Sequence, residues 1–233
     1  MVIKVAERHL TERAKANIAK YMPYDLKTDA VWMDHHRRDE GIAYTTAWHV
    51  YNVDADHCYD PNPRLYKGDA LFAIKVADYN LRHYKELSDS AVVMNLRMLL
   101  HFVGDMHCPT HSYFPGPRCF WKCTLNGKKQ KSFHGVYDNM PAMLYGKKAD
   151  AAEVAAELDN CKKGEIKKIQ LKGDLYAWAK SCGDNNCVIY DWNPFNTEEL
   201  NPDTVELSRE LVGTQLRNGG YRLALLLNEY FGK

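Results

Sequence analysis

Apolar residues recur at three- and four-residue steps along most of this chain, the spacing of one helix face, and few segments alternate with period two. Ser88-Asp89-Ser90 is a cap signal ahead of Ala91, Met94, Met98, Leu99 and Phe102, a strong helix that Pro109 ends. The spacing also predicts helices over Thr11–Met22, stopped by Pro23, and over 69–87, 150–159 and 171–181. A long closing helix runs from 203 to 231, with a break expected near Gly219-Gly220. Residues 55–68, 109–133 and 183–202 read as irregular. The expectation is an all-α single domain over residues 1–233, a helical bundle with long irregular loops that holds ligands from facing helices.

Composition narrows the function classes. Of 233 residues, 45% are apolar and 26% charged, which excludes disorder as the main state. Lys+Arg 31 against Asp+Glu 30 leaves a net charge of +1, so bulk charge argues for no nucleic-acid partner. No apolar run is long enough for a membrane span, so no stable membrane insertion is expected. The first residues, MVIKVAERHL, lack the parts of a signal peptide. Among seven cysteines, Cys119/Cys123 and Cys182/Cys187 are close pairs that could form disulfides in an oxidising compartment. A monomer is expected.

The segment that carries chemistry is His101-Phe-Val-Gly-Asp105-Met-His107-Cys-Pro-Thr-His111. His101 and Asp105 are four apart on a helix and share a face, while Pro109 brings His111 in from a turn. His134 and Asp138 repeat the four-residue spacing, and Asp34 and His49 lie upstream. Imidazole with carboxylate is the donor set of a zinc site that keeps a position open for water. One such pair alone is also ordinary helix support. Two pairs together with His111, Asp34 and His49 are not.

These residues resemble the zinc-dependent single-strand nucleases, the fungal and plant type I nucleases and 3′-nucleotidases, which share a fold with bacterial zinc phospholipase C. The resemblance rests on WMDHHR, WHVYNV, HFVGDMHCPTH, HGVYDNMP and GGYRLALLLN. The gaps between the seven positions are 15 from Asp34 to His49, then 4 from His101 to Asp105, 6 to His111, 23 to His134 and 4 to Asp138. Phospholipases of this fold have a shorter gap before the last His and end the pair with Glu. The resemblance implies a trinuclear zinc cluster: Asp34, His49, His101 and Asp105 on one metal, His111, His134 and Asp138 on the second, and Asp105 bridging to the third. It implies that Arg37 clamps phosphate, that Asp34 orients a metal-bound hydroxide, and that His107 supports ligands without being one. The substrate implied is single-stranded DNA or RNA, or nucleotides; the alternatives are a phospholipase C-like phosphodiesterase and a metal-binding domain of weak or no activity.

The chain departs from the family in places. The family's N-terminal Trp and following His, which hold the third zinc, would fall before residue 1, so at most two zincs and weak activity are expected. Met1 then reads as an internal methionine of a secreted or periplasmic parent, or as the start of a natural short form. No Gly-Gly-Asn turn follows His111, and Tyr137 stands where the family has Trp. For base contacts the candidates are Tyr51 and Asn52, with Tyr113, Phe114, Phe120 and Trp121, although aromatics in loops also simply pack. Lys128, Lys129 and Lys131, just before His134, could steer a polyphosphate backbone, whereas CKKGEIKK at 161–168 reads as a solvated loop.

Overall fold

The computed structural model describes residues 1–62, 66–114 and 119–233; the parts of the expected loops at 63–65 and 115–118 lie outside them. The chain opens with α1 (Val2–Arg8), too short to display a period, and α2 (Glu12–Ile18), whose cap Thr11 accepts from the Ala14 amide. A 3₁₀ turn over Leu26–Asp29 leads to α3 (Trp32–His36). A second, over Ala43–His49, leads to the two-residue strand β1 (Tyr51–Asn52). Asp69 caps α4 (Ala70–Arg82), which breaks at His83 into a 3₁₀ turn instead of running to 87. Ser88 caps α5 (Asp89–Met106), which stops three residues before Pro109 because residues before proline are turned out of the helical region.

After α5 a turn at Pro109–His111 gives β2 (Ser112–Tyr113), then the hairpin β3 (Cys123–Leu125) and β4 (Lys128–Gln130). Seven helices complete the chain: α6 (Phe133–Asp138), α7 (Met140–Tyr145), α8 (Ala151–Leu158), α9 (Lys163–Gln170), α10 (Leu175–Asn186), α11 (Val188–Trp192) and α12 (Thr204–Phe231). The mostly α fold is as expected, but further details differ, among them α2, which ends at Ile18 rather than Met22. CKKGEIKK at 161–168 supplies most of α9 rather than a loop. The polar stretch after Gly183 continues α10 and adds α11. Helix α12 runs unbroken through Gly219-Gly220. A Cβ at Gly220 would stand 2.4 Å from the Cβ of Val5, so this glycine lets α1 lie directly on α12.

Leu71, Ile74 and Leu81 of α4 pack with Leu96, Leu99 and Val103 of α5 and with Leu223 and Leu227 of α12 in the main core. A second apolar cluster joins Phe133, Val136 and Tyr137 of α6 to Leu125, Ile189 and Val212. A cleft of about 380 Å³ takes its lining from both, through Leu100 and Gly104 on one side and Tyr137 and Val212 on the other. None of the described helices is long and apolar enough to cross a membrane.

Candidate metal centre

Five elements deliver His and Asp side chains to this cleft: Asp34 from α3, His49 from the end of its 3₁₀ turn, His101 and Asp105 from α5, His111 from the Pro109 turn, and His134 and Asp138 from α6. Two residues of parallel pairing hold the loops in register. β1 begins two residues after His49 and β2 directly after His111, with Tyr51 opposite Ser112 and Asn52 opposite Tyr113. Helix α6 is anchored similarly: Ser132 caps it, and the amides of Phe133 and His134 donate to the carbonyls of Trp121 and Cys119.

The donor atoms fall into two groups. In the first, Nδ1 of His49 lies 3.0 Å from Asp105 Oδ2, 3.0 Å from His101 Nε2 and 3.6 Å from Asp34 Oδ1. His101 Nε2 lies 3.1 Å from Asp105 Oδ2. A tetrahedral ion with bonds of about 2.0–2.1 Å has donor–donor edges of about 3.3 Å, which these distances bracket. In the second group, Asp138 Oδ1 is 3.1 Å from His111 Nε2, and its Oδ2 is 3.5 Å from His134 Nε2. Asp105 connects the groups, its other oxygen lying 3.5 Å from His111 Nδ1. His49 Nε2 and His111 Nδ1 are buried without hydrogen-bond partners. The crowding of carboxylate oxygens and imidazole nitrogens, with His111 Nδ1 facing Asp105 yet lacking a hydrogen-bond partner, fits a divalent cation.

A model of the S1/P1 nuclease family matches residues 1–232. The chain belongs to the S1/P1 nuclease family. It is 26% identical over 267 residues to Endonuclease 4 of Arabidopsis thaliana, covering 99% of this chain and 86% of that protein. It is 25% identical over 242 residues to Nuclease P1 of Penicillium citrinum, covering 89% and 85%, and equally to Nuclease PA3 of a Penicillium species. Membership makes the chain a hydrolase of phosphodiester bonds with nucleic acid as substrate.

Electrostatics in this S1/P1 nuclease follow from burial against local charge. Burial alone would raise the Asp105 carboxyl, but His101, His111 and His49 hold it well below the usual range, so it is an anion. Burial lowers His134 to about 4, helped by the charge of His111, and leaves its ring neutral. The Ala30 carbonyl accepts a hydrogen bond from His101 Nδ1 at 2.6 Å and leaves Nε2 to face His49 and Asp105. Arg37 reaches Asp34 at 3.6 Å from the cleft wall.

Other candidates sit elsewhere. His107 is buried with Nδ1 donating to Val103 O, and its Nε2 is 2.8 Å from Arg222 Nη1. Both nitrogens are thereby taken and neither touches a candidate ligand; burial and Arg222 push it down to about 3. Tyr51 is a correction: it is fully buried, its hydroxyl donates to Met106 O, and its ring has no face open to a base. Tyr113 is buried too, and Trp121 stacks on Phe133 while donating to Thr197 O. Phe120 is the aromatic that stays exposed at the site, its ring centre 4.6 Å from that of His134. Asn52 is half-buried in β1, and Lys128, Lys129 and Lys131 stand exposed on and after β4; with Tyr51, none of these lines the cleft. The four cysteines considered for disulfides are free thiols: Cys119 donates to Thr110 O, Cys182 accepts from Arg222, Cys187 donates to Asp184 O, and Cys123 is buried in β3. A reading confined to His and Asp missed Cys108, whose sulfur joins the second group.

Proposed function

We propose that this S1/P1 nuclease hydrolyses single-stranded nucleic acid and 3′-nucleotides, using zinc held at two positions. Asp34, His49, His101 and Asp105 form one position and His111, His134 and Asp138 the other. The observation that carries this reading is the convergence of seven His and Asp side chains, from residues 34 to 138, on one cleft with edges suited to a tetrahedral ion. Zinc bound there supplies Lewis acidity, lowering the pKa of water to about 7 and drawing charge from phosphate oxygens. Asp34, half-exposed at the cleft, orients the attacking water along the line of displacement. Arg37 binds the phosphate bidentately and offsets charge growing on its equatorial oxygens. Phe120 offers a ring face to a base beside His134. Only an unpaired strand can present a base face this way, which supports single-strand preference. The lysines of the β3–β4 hairpin draw the polyanion toward α6.

The test compares single-stranded DNA, RNA, duplex and a 3′-nucleotide before and after chelation. The expected result is hydrolysis of the unpaired substrates, lost on chelation and restored by zinc. Activity that survives exhaustive chelation, or turnover of phosphatidylcholine in place of nucleic acid, would overturn the reading.

A further inference from the structure

We propose that Cys108 contributes a thiolate to the cation position formed by His111, His134 and Asp138, giving that position a mixed nitrogen, oxygen and sulfur donor set. The inference rests on the reading above that this group holds a cation. Cys108 Sγ lies 3.8 Å from Asp138 Oδ1, and one donor atom each from Cys108, His111 and Asp138 all lie within 4.8 Å of one another. A tetrahedral ion with a bond of about 2.3 Å to sulfur and about 2.0–2.2 Å to oxygen has a sulfur–oxygen edge of roughly 3.5 Å, close to that separation.

The backbone holds the sulfur in place. The Cys108 amide donates to Asp105 O at 2.9 Å, closing the end of α5. Pro109 then fixes the next turn, and the His111 amide returns to Cys108 O at 3.0 Å. Cys108 and His111 are thus two arms of one rigid turn. His111 supplies a second indication of a ligand: it is over nine-tenths buried, its Nε2 lies 3.1 Å from Asp138 Oδ1, and its Nδ1, turned toward Asp105, lacks a hydrogen-bond partner. Cys119 is the contrast. It is buried near the Nδ1 of His134 but turns its S–H to Thr110 O at 3.2 Å.

Coordination releases one proton from Cys108 to solvent as the sulfur–metal bond forms. A thiolate beside two imidazoles and a carboxylate shifts the position's preference toward softer divalent ions such as Cd²⁺.

Cobalt(II) in place of zinc tests this directly, because sulfur coordination gives an intense near-ultraviolet charge-transfer absorption that nitrogen and oxygen donors do not. The cobalt-loaded wild type is expected to show this band together with visible d–d bands. Cys108→Ser loses the near-ultraviolet band and keeps the visible ones, while Cys119→Ser keeps both. Cd²⁺ affinity at this position should fall in Cys108→Ser by at least about tenfold, no less than the loss of a ligand's outer partner costs. Visible bands without the charge-transfer band in the wild type, or a band that persists in Cys108→Ser, would overturn the Cys108 assignment and leave the two-cation reading standing. Failure of the wild type to retain any cobalt would sink both.

Discussion

Asp105 is the residue on which the site turns, because its two oxygens face different groups: Oδ2 meets His49 and His101, and Oδ1 approaches His111. Asp105→Asn is therefore expected to remove both metal equivalents after dialysis, while His134→Ala removes one; elemental analysis of the purified variants checks the difference. Arg37 predicts the opposite separation. It touches Asp34 but belongs to neither donor group, so Arg37→Ala should leave metal content unchanged and lower kcat by roughly 10²–10³-fold, the usual cost of losing one charge-stabilising donor. Arg37→Lys should recover only part of this, since an ammonium cannot make the bidentate contact. Steady-state kinetics beside metal analysis decides both.

Among the elements, α1 lies close on α12 where Gly220 meets Val5. Gly220→Ala should cost about 1–3 kcal/mol of stability by driving a methyl into the Cβ of Val5, read as a lowered midpoint in thermal denaturation. Gly104 on α5 is the counterexample: no atom lies within 4 Å of its would-be Cβ, so alanine there is tolerated. Asp159 ties α1 to the end of α8 and to α12, bonding Arg8 at 2.6 Å, His9 at 2.8 Å and the Tyr221 hydroxyl at 2.9 Å. Burial would raise its pKa, but those partners hold it below the ordinary 3.8. Its contribution is complete above that value and is lost as pH falls through the depressed folded value. Asp159→Asn should cost about 1–3 kcal/mol at neutral pH and flatten the acid limb of a stability profile below about pH 4. How far the sequence discloses these elements depends on length and contrast. Helix α5 is legible to its cap because Ser88 precedes a long apolar stripe, and the paired ligands are legible because i,i+4 spacing is geometry written in numbers. Helix α11 and the end of α10 are hidden because Asp184, Asn185, Asn186 and Asp191 are weak helix formers. Packing overrides them: buried Asn186 accepts from Gln215 and donates to Ser112. Tyr51 and Phe120 show the same limit for the site, since an aromatic residue type states neither burial nor exposure.

At the scale of the whole molecule, the donor groups gather residues from 34 to 138, so ion binding and folding are linked. Chelation should lower the melting temperature and zinc should restore it, with the increment growing with free zinc. The net charge of +1 argues that substrate is held locally rather than by a broad basic surface. The logarithm of kcat/KM should thus fall only shallowly with the logarithm of salt for an oligonucleotide, and Lys128→Ala with Lys129→Ala should flatten it further while leaving a 3′-nucleotide unaffected. The carbonyl that aims His101 belongs to Ala30, and carbonyls are common to all twenty residue types. The instruction for that imidazole is consequently carried by chain path rather than by side-chain identity. Any small residue at position 30, which packs on the core and lines the cleft, leaves that ring's aim intact, and an inspection of letters alone would pass over it.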